Sequence, residues 1–255
     1  MAKENNCFRI LVLGDSITQD GWYVESLKKK LNSNPDLTYN FELWNAGVNG
    51  YSINQYAAFL KYKAIKYHPD MVLIGFCLND FGLTSTVVIY KNSMGFSEYY
   101  YPGFRLATSL PILNRFLFKY SYFYRFLIMR IENVLANIEK NKFGDDSYRS
   151  GETFYFLNLM KNICDKHKIS LVSVIFPLLK PMEEYKDYER TQYEVVVQVL
   201  NELMIDYVDL HNHFQDKDLY SLRHIKGEDI HPSPEGHEIV AKAIYYHLIK
   251  NYFGN

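Results

Sequence analysis

Short apolar runs alternate with stretches of helical spacing along most of this chain, and that alternation limits the fold more than any other feature. "FRILVLG" ends at Gly14 and gives way to "WYVESLKKKLN". "FELWNAGV" precedes "INQYAAFLKYKAIKY", and "MVLIGFCL" is entered through the turn signal His68-Pro69-Asp70. Later come "SLVSVIFPLL" from Ser170, a helical stretch from about Tyr188 to Met204, and "DYVDLHNHF" from Asp206. A last helix is expected from Pro234 to about Tyr252, with Ser233 as N-cap and Pro234 at the first helical position. Strands separated by helices of this length build βαβ units and a parallel sheet. Nearly continuous apolar runs suit strands covered on both faces. The expected fold class is α/β: a single three-layer α/β/α domain over residues 1–255, with a roughly five-stranded, parallel, flavodoxin-like sheet.

One segment breaks the alternation. From about residue 84 to 150 no clear strand is legible, and many of the chain's 23 tyrosines gather there. Leu113, Phe116, Leu117, Tyr120, Tyr124, Leu127, Ile128, Ile131 and Leu135 recur at three- and four-residue steps, the mark of one apolar helical stripe. The reading is a Tyr-rich, mainly helical insertion that packs on its own domain. A lid over the site, a homodimer surface or a membrane-surface contact are the alternatives. Arg115, Lys119, Arg125 and Arg130 interrupt the run too often for it to span a bilayer.

The totals exclude several function classes. A formal net charge of −1 lacks the clustered basic excess that nucleic-acid binding needs. Cys7, Cys77 and Cys164 are odd in number and far apart, which gives neither a disulfide framework nor metal-ligand spacing. They read as reduced, buried thiols of a reducing compartment. With no signal peptide or transmembrane run visible, a cytoplasmic location is expected.

In an open parallel sheet, ligands bind outside the carboxyl ends of the strands. Three polar clusters fall there: Gly14-Asp15-Ser16, then Asn45 to Gly50, then Asn79-Asp80. A fourth, "GEDIHPSPEGH", precedes the last helix. These parts complement one another. A serine hydroxyl needs a base, which histidine supplies near neutral pH. The histidine needs a partner on its other nitrogen, and Glu228, three residues before His231, can reach it. Backbone N–H groups of Ser16 and Gly50 and the neutral amide of Asn79 can serve as donors to an oxyanion.

In these residues the chain resembles the SGNH (GDSL-type) hydrolase superfamily. "LGDSIT" is similar to its first block and places the nucleophile at Ser16. "NAGVNG" and "GFCLND" are similar to the second and third, with Gly50 and Asn79 in the oxyanion hole. "EDIHPSPEGH" is similar to the block that carries the base, His231. The family's usual acid is an aspartate three residues before that histidine. Here the position holds Glu228, with Asp229 beside it as the alternative acid. The resemblance implies a serine esterase that needs no cofactor and no metal. Its substrates would be small-molecule, carbohydrate or lipid esters, with a short acyl group on a carbohydrate as the leading choice. An O-acyltransferase using the same residues and a non-catalytic binding module are the other readings.

Other residues carry weaker signals. The G-x-S-x-G elbow of ordinary α/β-hydrolases is absent. His237-Glu238 has Ala241 where a zinc-protease helix needs its second histidine. His211 and His213 lack a third ligand at suitable spacing. Trp22 and Trp44 read as core or site-rim aromatics.

Overall fold

The first apolar run forms β1 (Cys7–Gly14), whose side chains are buried on both faces. Ile10 and Val12 enter one core and Leu11 and Leu13 the other, because successive strand side chains point to opposite sides. A computed structural model describes residues 6–80, 88–91, 97–100, 116–117, 120–124, 126–127, 130–131, 145–215, 217–225 and 230–254.

After β1 come α1 (Ser16–Asp20), α2 (Trp22–Asn32), β2 (Asn40–Gly47), α3 (Ile53–Phe59) and β3 (Met71–Phe76). A short antiparallel pair, β4 (Val88–Lys91) and β5 (Ser97–Tyr100), follows. The remaining elements are α4 (Asp145–His167), β6 (Ser170–Ile175), α5 (Asp187–Glu202), β7 (Asp206–Asp209), α6 (His211–Phe214) and α7 (Pro234–Leu248). The main sheet has five parallel strands in the order β2-β1-β3-β6-β7. Helices α2 and α7 cover the Ile10 face, and α3, α4 and α5 cover the Leu11 face. The expected α/β class with a five-stranded parallel sheet is what the chain adopts. Strand order reverses between β1 and β3, so their carboxyl ends open the crevice where a ligand sits in such sheets.

The expected insertion falls largely outside the described residues. Where it is described it differs from the sequence reading in two ways. The stretch held to lack strands contains β4 and β5. Phe116, Tyr120, Leu127 and Ile131 of the expected packing stripe stand in solvent rather than against the domain. Helix α4, which the sequence reading passed over, runs from within the insertion to the edge of β6. It buries Thr153, Phe156, Leu157, Met160 and Cys164 on one face, at helical spacing. All three cysteines are buried and lie outside any disulfide. No helix among the described residues is long and apolar enough to cross a membrane.

Candidate active site

Ser16 is held by a seat made of glycines. Gly14, Gly47 and Gly75 share one row at the carboxyl ends of β1, β2 and β3. A Cβ on Gly47 would lie 2.4 Å from the backbone nitrogen of Gln19, and one on Gly14 would lie 1.9 Å from Thr18 Oγ1. A Cβ on Gly75 would lie 2.6 Å from that same oxygen. Helix α1 therefore rests on bare backbone, a contact closer than any side chain permits. Thr18 Oγ1 is hydrogen-bonded to the buried Tyr23 hydroxyl at 2.9 Å, and Asn45 donates to the Thr18 carbonyl at 2.6 Å. Asp15 caps the helix by accepting the Ile17 N–H at 3.0 Å. The serine at the first helical position has its backbone fixed from three sides.

The next turn is strapped to the same seat. Val48 donates its N–H to the Gly14 carbonyl at 3.0 Å, and Asn49 donates to the Gln19 side chain. Gly50 then takes φ +75°, a left-handed conformation that costs glycine little. Its N–H, like that of Ser16, has no acceptor among the described residues. The backbone of Asn79 lies in the short 3-10 turn Leu78–Asp80 that follows β3.

His231 arrives from the far end of the chain. His224 donates its N–H to the His231 carbonyl at 2.8 Å, Ser233 donates to the Leu222 carbonyl, and Arg223 and Pro232 form an isolated antiparallel bridge. Ser233 caps α7. Between these supports the imidazole Nε2 lies 2.8 Å from Ser16 Oγ, across 215 residues of sequence. For Ser16 to donate along this line the ring proton must sit on Nδ1. A serine hydroxyl so placed can pass its proton to the ring as the oxygen attacks an electrophile. Glu228 and Asp229 lie outside the described residues.

Beneath Ser16 is a buried acidic pocket. Asp15 and Asp80 are each 1 % exposed, with Cys77 between them. Asp80 accepts the Cys77 N–H at 2.9 Å. Oxygens of both carboxyls and the Cys77 sulfur all lie within 4.8 Å of one another. Burial, and then the charge of Asp15, push the Asp80 carboxyl well above the usual range. Burial likewise pushes the Cys77 thiol well up, with Asp15 and Asp80 adding to it. The trio has metal-ligand proximity, in a pocket whose burial disfavours charge on the thiol and on Asp80.

Several parts of this arrangement escaped the sequence reading. The glycine row appears only once strand register is known. Asp80 was visible beside Asn79, yet its burial against Asp15 was not. Both ring nitrogens of His211 have partners: Nδ1 lies 2.9 Å from Asp209 and Nε2 3.1 Å from the Tyr185 hydroxyl. Trp22 is exposed and in edge contact with His224, whereas Trp44 packs its ring under the Arg9 guanidinium.

Comparison with known proteins bears on the family and the fold. The profile of the GDSL-like lipase/acylhydrolase family matches residues 12–239. No curated protein sequence matches the chain. Among solved structures, the acetyl xylan esterase AlAXEase is 15% identical with a TM-score of 0.59, covering 95% of this chain and 100% of its own. A catalytic mutant of Axe2, an acetylxylan esterase from Geobacillus stearothermophilus, is 17% identical with a TM-score of 0.60, covering 97% and 96%. TesA is 14% identical with a TM-score of 0.55, covering 94% and 97%. At such identities these likenesses speak for the fold, whereas the family profile spans most of the chain. The chain belongs to the GDSL-like lipase/acylhydrolase family, the SGNH-type serine ester hydrolases.

Proposed function

We propose that the protein removes short acyl groups, acetyl above all, from carbohydrate esters through an acyl-enzyme on Ser16. The observation that carries this reading is the 2.8 Å contact between Ser16 Oγ and His231 Nε2. Ser16 Oγ attacks the ester carbonyl while its proton passes to His231 Nε2. The tetrahedral oxyanion is held by the N–H groups of Ser16 and Gly50 and by the Asn79 amide. As the intermediate collapses, the C–O bond to the alcohol breaks and His231 returns the proton to the leaving oxygen. Water then loses a proton to His231, attacks the acyl carbon, and frees the acid and Ser16. Glu228, or Asp229 in its stead, orients the ring and balances its charge as it becomes imidazolium.

The carbohydrate assignment draws on Trp22. This residue is 45 % exposed and borders a groove of about 680 Å³ that also meets Asp20, Glu25, Lys29 and Glu238. Asp20 is the last residue of the short helix that Ser16 begins, so one element carries both the nucleophile and a residue of the groove's lining. An aromatic face flanked by carboxylates and an ammonium suits a sugar, whose ring stacks while its hydroxyls bond at the edges. Acetylated xylo-oligosaccharides and p-nitrophenyl acetate, butyrate and octanoate, offered to wild type, Ser16→Ala and Trp22→Ala, test both halves. Turnover of every ester should vanish in Ser16→Ala. Trp22→Ala should raise KM for the oligosaccharide by about tenfold and leave p-nitrophenyl acetate unaffected. Preference for octanoate would replace the carbohydrate by a lipid ester, and turnover surviving in Ser16→Ala would remove the serine mechanism.

A further inference from the structure

A second surface, absent from the chemistry above, stands out between residues 116 and 131. Tyr122 is 84 % exposed, Phe123 73 % and Phe126 58 %, and Phe116, Tyr120, Leu127 and Ile131 are exposed beside them. Scattered exposed apolar residues need no explanation, but a contiguous set of large ones marks a contact surface. The set is organised. Ser121 Oγ accepts the Tyr124 N–H at 3.1 Å, as an N-cap does, and the described positions that follow are helical. At ~100° per residue, Tyr122, Phe126, Arg130, Phe123, Leu127 and Ile131 fall in that order within half the circumference. One face therefore presents five large apolar side chains to solvent with a single cation among them.

Between Glu98 and Glu132 the charges of the sequence are all of one sign. From Tyr99 to Ile131 the sequence holds Arg105, Arg115, Lys119, Arg125 and Arg130 and no acidic residue, although the whole chain has a formal net charge of −1. Arg130 lies over the Phe126 ring, with 5.3 Å from its Cζ to the ring centroid, and is itself exposed. Such a side chain can bury its stem beside the aromatics and keep its head at a polar boundary. We propose that this face lies on the surface of an anionic lipid bilayer, in the plane of the interface. Aromatic rings sit at headgroup depth because one end is apolar and the edge or hydroxyl is polar. The basic residues meet the negative lipids, and the charges between them keep the segment from spanning. A second copy of the chain is the rival occupant, but two such faces would bring like charges together. The proposal does not rest on the esterase reading.

The test is sedimentation of the full chain with vesicles of phosphatidylglycerol in phosphatidylcholine and with vesicles of phosphatidylcholine alone, at low and high salt. Wild type should sediment with the anionic vesicles only, and salt should weaken it. Arg115→Glu with Arg130→Glu should weaken binding by more than about tenfold, and Phe123→Ser with Phe126→Ser by a similar factor. None of these residues is given a part in the chemistry above, so both double variants should keep the wild-type thermal midpoint, which separates lost binding from lost folding. Absence of sedimentation, equal binding to both vesicles, or binding untouched by both variants would overturn the proposal. So would a wild-type dimer that the phenylalanine variant converts to monomer, since that assigns the face to a second copy.

Discussion

Among the described residues two histidines hydrogen-bond to a hydroxyl group, and they are built in opposite ways. His211 lies between Asp209, 2.9 Å from Nδ1, and the Tyr185 hydroxyl, 3.1 Å from Nε2. That phenol is buried and already bonded to the backbone of Leu178, whose N–H reaches it at 2.7 Å. Tyr193 donates to the other Asp209 oxygen at 2.6 Å. Although burial opposes it, these bonds from His211 and Tyr193 hold the Asp209 carboxyl below its usual range. Each polar atom has a partner, and the group ties β7 to the loop beneath Leu78 and Ile230, the neighbours of Asn79 and His231. His231 instead meets a half-buried serine at the crevice. A carboxylate, an imidazole and a hydroxyl thus make a strut when the hydroxyl is saturated and buried. At His231 an imidazole instead meets a hydroxyl left open at a strand end, the arrangement that the proposed mechanism uses.

The largest effect should come from exchanging the two histidines' fates. His231→Gln should lower kcat/KM for p-nitrophenyl acetate by at least ~1000-fold with little change in thermal midpoint. His211→Gln should leave kcat almost unchanged and cost on the order of 1–3 kcal/mol of stability, because Asp209 and Tyr185 lose a buried partner. Steady-state kinetics and urea unfolding of the two variants decide it. A catalytic collapse in His211→Gln would mean that the strut takes part in the chemistry.

A third histidine shows what burial does without such partners. His237 is 2 % exposed, its Nδ1 has no hydrogen-bond partner among the described residues, and its ring stacks on Tyr23. Burial pulls its pKa down to about 4; the neighbouring His224 and His231 add to this and Asp20 opposes it. The native state therefore binds the neutral ring. Its contribution to stability is complete above the ordinary histidine value and is lost as pH falls from there toward 4. The loss at pH 4 should approach about 3 kcal/mol. Urea unfolding across that window should show the slope in wild type and lose it in His237→Phe.

Much of this was written in the sequence, and the rest was hidden for a physical reason. Strand periodicity, the His68-Pro69 entry to β3 and the Ser233-Pro234 start of α7 are local signals, and the elements formed where those signals fall. Ser16 and His231 were legible as types in motifs, each at a strand end or before a helix. What local pattern cannot carry is register. That Gly14, Gly47 and Gly75 form one row depends on the pairing of three strands, and Asp80 meets Asp15 only because β1 and β3 are neighbours. The exposed aromatics of residues 116–131 show the converse failure. Helical spacing was readable, but spacing alone does not say which partner the stripe faces.

The glycine row sharpens the contrast between a fixed hydroxyl and a free one. Gly47→Ala is the strictest probe, because its Cβ would meet backbone atoms, Gln19 N at 2.4 Å and Thr18 C at 2.6 Å, which cannot rotate away. Helix α1 must lift, carrying Ser16 from His231. The expected cost is about 1–3 kcal/mol of stability together with a fall in kcat of roughly a hundredfold. Unchanged kinetics would show that the seat yields without disturbing the pair.

The smallest effect should come from the acid under that seat, and it sets two carboxylates against each other as the histidines were. Asp209 is held low by donors, so its contribution is present above the ordinary carboxylate value and fades as pH falls. Asp80 is held high by burial and by Asp15, so the native state binds the extra proton. Stability then declines as pH rises from the ordinary carboxylate value toward the folded one. Asp80→Asn keeps the shape, can still accept the Cys77 N–H through its amide oxygen, and carries no titrating proton. It should stabilise the protein at neutral pH by on the order of 1 kcal/mol and flatten the decline that wild type shows on the alkaline side of that value. Unfolding curves at successive pH values measure both. If Asp80→Asn instead destabilised the protein at every pH, the Asp15–Asp80 pair would be a bond between two turns rather than a repulsion relieved by one proton.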